Sequence, residues 1–214
     1  MSWHGRDSER KSYHHGNLRE ALIAAALKLI SEKGAFGFTF ADAARWAGVS
    51  SAAPYRHYRD KDALLIDVAK RGYELFAEQL EKAWANGRPD PFRAFENLGR
   101  AYLAFAHDEA AYYTAMFEAG VSPGDDPGLR EAADRAFNVL RRAAEQLSTG
   151  IPADRPRPPA MMMALHIWAL AHGTASLFAR GDKGRRSLPM APAELLEAGV
   201  LIYLRGLGLA GGDP

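Results

Sequence analysis

Apolar residues recur three and four positions apart along most of the chain. From Asn17 onward Leu18, Leu22, Ala25, Ala26, Leu29 and Ile30 place one apolar face on a helix. Asn17 caps it, with Glu20 three residues on as a loose capping box, and Lys33-Gly34 ends it. Thr39, followed by Asp42, caps a short helix reaching Trp46 or Ala47, and Gly48 breaks it. Ser50 caps a second short helix running to about Tyr58. Asp60 opens a longer one containing Leu64, Leu65, Val68, Tyr73, Leu75, Phe76 and Leu80. After a Gly- and Pro-containing turn from Asn86 to Pro91, helical patterns follow at about 91–107, 109–119, 127–148, 159–180 and 191–207. Their breaks are Gly120–Pro127, Gly150–Pro159 and Gly181–Pro192. No run alternates with the period of a strand. The pattern predicts an all-α chain of about nine helices. It divides into a polar arm over 1–16, a helix-turn-helix unit over 17–63 and a helical unit over 64–214.

Two short helices joined by a tight glycine turn are the elements of a helix-turn-helix. Ala43, Ala44 and Ala47 are small enough to let the helices cross closely. Gly48 tolerates a backbone angle that other residues resist, and Val49 plugs the gap. The second helix would enter the major groove with Ser51, Ala52 and Ala53 leading. Ala53 suits a thymine methyl, and Ser51 a base or a phosphate. Tyr55, Arg56, His57 and Lys61 supply donors for phosphates, and Thr39 with Ser50 adds hydroxyls at helix starts. Tyr58 reads as core, whereas the Tyr55 ring could pack while its hydroxyl reaches a phosphate. Pro54 falls inside the recognition helix and restrains Ala53, which tightens the start of that helix.

Charge agrees with this placement. Residues 1–71 hold 12 Lys/Arg against 8 Asp/Glu, while residues 72–214 hold 15 against 18. A basic end on a slightly acidic body suits an anionic partner at that end. Cysteine is absent from the 214 residues, which excludes disulfides, zinc-thiolate sites and cysteine nucleophiles. No metal site is expected, because His14 and His15 have no carboxylate or thiolate beside them. The polar start of the chain lacks the features of a signal peptide, and a cytoplasmic location is expected.

The stretch TFADAARWAGVSSAAPYRHYRDKDALL, from Thr39 to Leu65, resembles the DNA-binding region of the TetR family of transcriptional regulators. The residues carrying the resemblance are Ala44, Ala47-Gly48-Val49-Ser50, Tyr55, His57-Tyr58, Lys61 and Leu64-Leu65, after a first helix closed by Lys33-Gly34. Ala43 departs from the pattern, which more often has a larger aliphatic residue there, and Trp46 or Phe40 is expected to fill the volume. The resemblance implies an all-helical, two-domain subunit acting as a homodimer. It also implies operator DNA as partner, no catalytic residues and no cofactor. An effector bound in the C-terminal domain would usually release the DNA.

The segment 158–179 contains no charged residue and is long enough to span a bilayer. His166, His172, Gly173, Thr174 and Ser176 interrupt it, so a helix buried on most sides is expected, with no membrane. Within it Trp168…His172-Gly173 resembles the Trp-His-Gly signature of one TetR C-terminal subgroup. The homodimer is expected to form through the last two helices, including Trp168, His172, Gly173, Leu196, Val200 and Tyr203. A largely hydrophobic effector would be lined by Phe95, Leu98, Tyr102, Phe105, Tyr113, Met116, Phe117, Phe137, Leu140, Met162, His166 and Trp168, with His166 as the polar group. The pattern Gly206-x-Gly208-x-x-Gly211 matches a dinucleotide loop only by chance, because it follows a helix rather than a strand. Neither a nucleophile elbow nor paired carboxylates support an enzyme.

Overall fold

The computed structural model describes residues 18–178 and 189–209. Among these residues every regular element is helical, with eight α-helices, one 3-10 turn and no strand. The expected arm over 1–16 and the Asn17 cap lie outside the described residues, as do most of the 181–192 break and the end of the glycine pattern at 206–211.

The helices are α1 (Leu18–Lys33), α2 (Phe40–Trp46), α3 (Lys61–Trp84), α4 (Pro91–Asp108), α5 (Ala110–Phe117), α6 (Pro127–Ser148), α7 (Ala160–Phe178) and α8 (Pro192–Gly206). Polar side chains start many of them. Asp90 accepts from the amides of Phe92 and Arg93 ahead of α4, and Asp60 and Asp126 do the same for Ala63 and Leu129. These carboxylates occupy orphan amides at helix N-termini.

The ninth expected helix does not form. Where Ser51–Tyr58 was expected to be helical, the chain makes a single 3-10 turn over Ala53–Arg56. Pro54 is the reason: it has no amide to donate, and its ring disfavours helical backbone in the residue before it. Ser50 also fails as a cap. The N-cap position is Ala52, which has no side-chain bond, and the Ser50 carbonyl instead accepts from Ala53 N–H at 3.0 Å.

The chain forms two compact units, Met1–Gly72 with Ala111–Arg130, and Tyr73–Ala110 with Glu131–Pro214. In the first, α1 packs on α2 and on the 3-10 turn. Leu22, Ala25, Ala26, Ala43, Ala44, Leu64, Leu65 and Val68 are buried there. Phe40 is also buried and Trp46 is 49% exposed, so Phe40 is the aromatic that fills space beside Ala43. Gly72 admits α5 closely, because a Cβ there would stand 2.8 Å from the sulfur of Met116.

In the second unit α4 packs on α7 and α8, which also pack on each other. Leu196 seats opposite Gly99, where a Cβ would come within 3.3 Å of its methyl. Phe76 meets Tyr102 edge-on at 5.1 Å and Phe105 at 4.7 Å. The expectation that the uncharged helix is buried on most sides is corrected. α7 buries one stripe, Met163, Ala164, Ile167, Ala171, Thr174 and Ala175, and leaves Met161, Met162, Leu165, Leu170 and Leu177 exposed. By length and composition α7 is the one described helix able to cross a membrane.

Candidate nucleic-acid interface

The candidate interface is framed by two glycine stops and the helix cap between them. α1 ends at Gly34, whose φ of 75° lets its amide reach the Ile30 carbonyl at 2.8 Å. Thr39 then starts α2 with a complete capping box. Its hydroxyl accepts from the Asp42 amide at 3.2 Å, and the Asp42 carboxylate accepts from the Thr39 amide at 2.8 Å. The Thr39 hydroxyl also donates to that carboxylate at 2.7 Å. These bonds hold Asp42 below the usual carboxylate range.

α2 ends in a Schellman motif. Gly48 has a φ of 71°, its amide donates to Arg45 at 3.1 Å, and the Val49 amide donates to Ala44 at 3.0 Å. The turn directs the chain straight into the Ser50–His57 segment. There Pro54 faces inward and is among the fully buried side chains, while Ser50, Ser51, Ala52, Tyr55, Arg56 and His57 are exposed. Ala53 is half-buried. Pro54 therefore both forbids the α-helix and anchors the turn.

Of the expected phosphate contacts, Thr39, Tyr55, Arg56 and His57 are exposed, and Tyr55 meets Phe40 edge-on. Lys61 is half-buried. Its ammonium donates to the Phe38 carbonyl at 2.9 Å and lies over the Phe38 ring, 4.3 Å from the centroid. Burial lowers the Lys61 pKa from the usual lysine value. Lys61 thus ties the α1–α2 loop to α3 as well as presenting a cation.

Sequence reasoning missed one cluster in this unit. Asp67 on α3 is buried, and its carboxylate accepts the Tyr58 hydroxyl at 2.5 Å and both Arg19 Nε and Nη2 at 2.8 and 2.9 Å. Burial opposes ionisation of Asp67, but the Arg19 and Tyr58 bonds outweigh it and hold the carboxyl below its ordinary range. Burial, with the neighbouring carboxylate, pushes the Tyr58 hydroxyl up. The available signal was an acid lying among Leu64, Leu65 and Val68, on an otherwise apolar face. Alongside, Arg71 pairs with Glu20 through two bonds.

The expected effector-lining residues fall in both units. In the second unit Phe95, Leu98, Tyr102, Phe105 and Leu140 are buried, and Phe137 meets Trp168 edge-on at 6.2 Å. Tyr113, Met116 and Phe117 belong to the first unit, where Tyr113 and Phe117 lie 4.9 Å apart. Met162 and His166 are exposed, because they fall opposite the buried stripe of α7. His166 is not the interior polar group; it shares a hydrogen bond with the Tyr203 hydroxyl at 3.1 Å. His172 is half-buried; it shares a bond with the hydroxyl of the buried Tyr102 at 3.1 Å and lies 5.6 Å from the Trp168 ring.

Among the expected dimer residues, Leu196 is core of its own subunit, because it fills the notch at Gly99. Gly173 is open, with nothing within 4 Å of a Cβ built on it. Trp168, His172, Val200 and Tyr203 are half-buried.

An all-helical chain in which α2 turns at Gly48 into a segment of exposed hydroxyl and cationic side chains has the layout of a DNA-binding transcriptional regulator. Two family models cover it: "Bacterial regulatory proteins, tetR family" over residues 22–68 and "Tetracyclin repressor-like, C-terminal domain" over residues 95–202. The chain belongs to the tetR family of bacterial regulators, a family of non-enzymatic proteins whose members bind operator DNA and form dimers. It is 31% identical to the HTH-type transcriptional regulator CymR of Pseudomonas putida over 134 residues, 63% of this chain and 64% of that protein. It is 27% identical to the class D tetracycline repressor protein of Escherichia coli over 190 residues, 74% of this chain and 86% of the relative.

Among solved structures, a protein of unknown function from Rhodococcus sp. RHA1 superposes with a TM-score of 0.75 at 30% identity, covering 92% of this chain and 98% of that one. AibR, solved in complex with isovaleryl coenzyme A and operator DNA, shares the fold with a TM-score of 0.63 at 17% identity, covering 86% and 96%.

Proposed function

We propose that the chain is a cytoplasmic, effector-responsive repressor that binds a two-fold symmetric operator as a homodimer. The DNA-reading region is residues 17–63 and the effector-binding and dimerisation region is 64–214. Thr39, Ser50, Ser51, Tyr55, Arg56, His57 and Lys61 contact phosphates or bases, and Ala52 and Ala53 allow close approach to base edges. The observation that carries this is the sorting of side chains at the turn. Pro54 and Tyr58 point inward, while the hydroxyls, the guanidinium and the imidazole between Ser50 and His57 stay exposed.

The test is a gel-shift titration against salt using fragments selected from genomic DNA. Arg56→Ala is the cleanest variant, because Arg56 is exposed and Lys61 also holds the Phe38 carbonyl. Loss of one phosphate contact lowers the salt slope by about one. An unchanged affinity and slope would remove Arg56 from the interface.

The dimer forms across the exposed apolar faces of α7 and α8, where Met162, Leu165, Leu177, Leu201 and Ile202 are uncovered. Gly173 lets a partner helix approach closely. The Trp168…His172-Gly173 signature supports reading the C-terminal region as one of the Trp-His-Gly subgroup. α7 packs on both α4 and α8 and keeps one buried stripe, which suits a bundle helix better than a bilayer span.

The effector is a largely apolar molecule bound in the second unit, against Phe76, Tyr102, Phe105 and Trp168. The Tyr102–His172 pair supplies its polar contact. Because α3 continues from the recognition turn into that unit, it is the element through which the effector changes DNA binding. Displacement of 8-anilinonaphthalene-1-sulfonate by a panel of aromatic acids and acyl compounds tests the site. Equal probe binding by wild-type and Tyr102→Ala protein would place the effector elsewhere.

A further inference from the structure

Asp67 is the one acidic side chain buried among the described residues, and no phosphate or effector contact assigned above involves it. Its two oxygens take three donors: the Tyr58 hydroxyl and Arg19 Nε at one, Arg19 Nη2 at the other. The Nε of Arg71 stands 4.0 Å from the second oxygen, with its own fork on Glu20. Three segments meet at this carboxylate: the first turn of α1, the residue that follows the recognition turn, and α3.

Tyr58 follows His57 directly. The His57 amide closes the 3-10 turn on the Pro54 carbonyl at 2.9 Å, and the Tyr58 amide donates to the same carbonyl at 3.0 Å, so Tyr58 is also tied to the turn through its backbone. A buried ring alone would hold the turn in place by packing. The hydroxyl adds a directional constraint, because a hydrogen bond to a carboxylate weakens steeply with angle. A 3-10 turn of four residues has little rigidity of its own, unlike the recognition helix expected there. The orientation of the exposed donors must therefore come from outside the turn.

We propose that Asp67 is a positioning residue for operator binding: through the Tyr58 hydroxyl it sets the orientation of the Ser50–His57 segment, and through Arg19 it locks that orientation to α1. The inference rests on the DNA-interface reading above. A group that must meet several phosphates and base edges at once loses affinity when its support lets it swing.

The test compares the full chain with its Tyr58→Phe and Asp67→Asn variants, well below the unfolding midpoint of each. Fluorescence anisotropy reads binding to a selected operator fragment and to a scrambled duplex across a salt series. Tyr58→Phe is expected to weaken operator binding by roughly tenfold, the equivalent of one charge-assisted bond. The salt slope stays unchanged because no phosphate partner is removed. Binding to the scrambled duplex is expected to hold within about twofold, because non-specific affinity depends on charge rather than orientation.

Operator affinity within twofold of wild type in Tyr58→Phe overturns the proposal, and so does an equal loss on both duplexes. Should Asp67→Asn fail to fold, Tyr58→Phe carries the test alone, since it keeps the buried ring. If the wild-type chain does not distinguish the two duplexes, the interface reading itself fails. If Arg56→Ala loses affinity while Tyr58→Phe does not, only the positioning role fails.

Discussion

Tyr55 stands edge-on to Phe40, with ring centroids 5.1 Å apart and planes at 89°. Phe40 is the first residue of α2 and is buried, whereas Tyr55 is 62% exposed in the recognition turn. The pair steers the Tyr55 hydroxyl outward by bracing its ring against a fixed neighbour. Aromatic pairs of this geometry contribute about 0.5–1.5 kcal/mol beyond their buried area.

Tyr55→Phe should therefore retain stability and lose operator affinity by about tenfold, as expected for one hydrogen bond. Phe40→Leu should lower both, because it removes the brace and opens space beside Ala43. Thermal melts with anisotropy titrations of the two variants separate these effects. A Tyr55→Phe variant that binds as tightly as wild type would show that the hydroxyl makes no contact with DNA.

Gly48 isolates backbone strain from crowding. Its φ is 71°, and nothing lies within 4 Å of a Cβ placed on it. Gly48→Ala should destabilise the fold by about 1–2 kcal/mol through the left-handed backbone alone. Gly48→Asn should destabilise it less, because asparagine tolerates that region better. Urea unfolding midpoints give the comparison, and equal values for Ala and Asn would contradict the strain argument.

The exposed apolar faces of α7 and α8 predict the oligomeric state. Leu165→Asp or Ile202→Asp puts a charge where a second copy is expected to pack, and neither residue is buried in its own subunit. Both variants should fold with near-normal helicity but elute as monomers, with operator affinity reduced at least a hundredfold. Light scattering coupled to size exclusion provides the measurement. Dimers that persist in both variants would move the interface off these helices.

Acid should destabilise the first unit early. Asp67, Asp42, Asp60 and Glu20 are all held below their ordinary carboxylate values. A carboxyl depressed in the folded state contributes stability that is present above its unfolded pKa and is lost as pH falls through the folded one. Stability should thus decline from about pH 4 downward, near the ordinary Asp and Glu values. Asp67→Asn should be less stable at neutral pH and show a shallower decline, which denaturant titrations between neutral and acidic pH would reveal. A decline as steep as that of the wild type would assign the acid sensitivity to the other carboxylates.

Local rules are written legibly in this chain. The amphipathic period of α1, the Thr39–Asp42 box, the Asp60 cap and the glycine stops at Gly34 and Gly48 each depend on residues within a turn of one another. A helix-turn-helix and an all-helical fold follow from them, as do the inward Tyr58 and the outward Arg56 and His57. Pro54 was visible as a restraint on the recognition helix, but its depth of burial was not. That burial comes with α1 and α2 packing on the turn, while the missing amide of Pro54 keeps the segment a 3-10 turn.

What lies far apart in sequence was settled only by tertiary packing. Arg19, Tyr58 and Asp67 are separated by up to 48 residues, and no local period links a guanidinium, a phenol and a carboxylate. Phe40 rather than Trp46 is the aromatic that the fold buries on α2. His166 and His172 are six residues apart on the same helix, yet one is exposed beside Tyr203 and the other is half-buried and bonds Tyr102. A helix rich in apolar residues on every side carries no mark of which stripe is core, so only the packing of α4 and α8 against α7 divides its interior from its exposed face. Sequence alone determines where the chain turns and which hydroxyl and cationic side chains lie beside the turn; the fold decides which buried contacts hold them there, because those contacts join segments that meet only after the chain has collapsed.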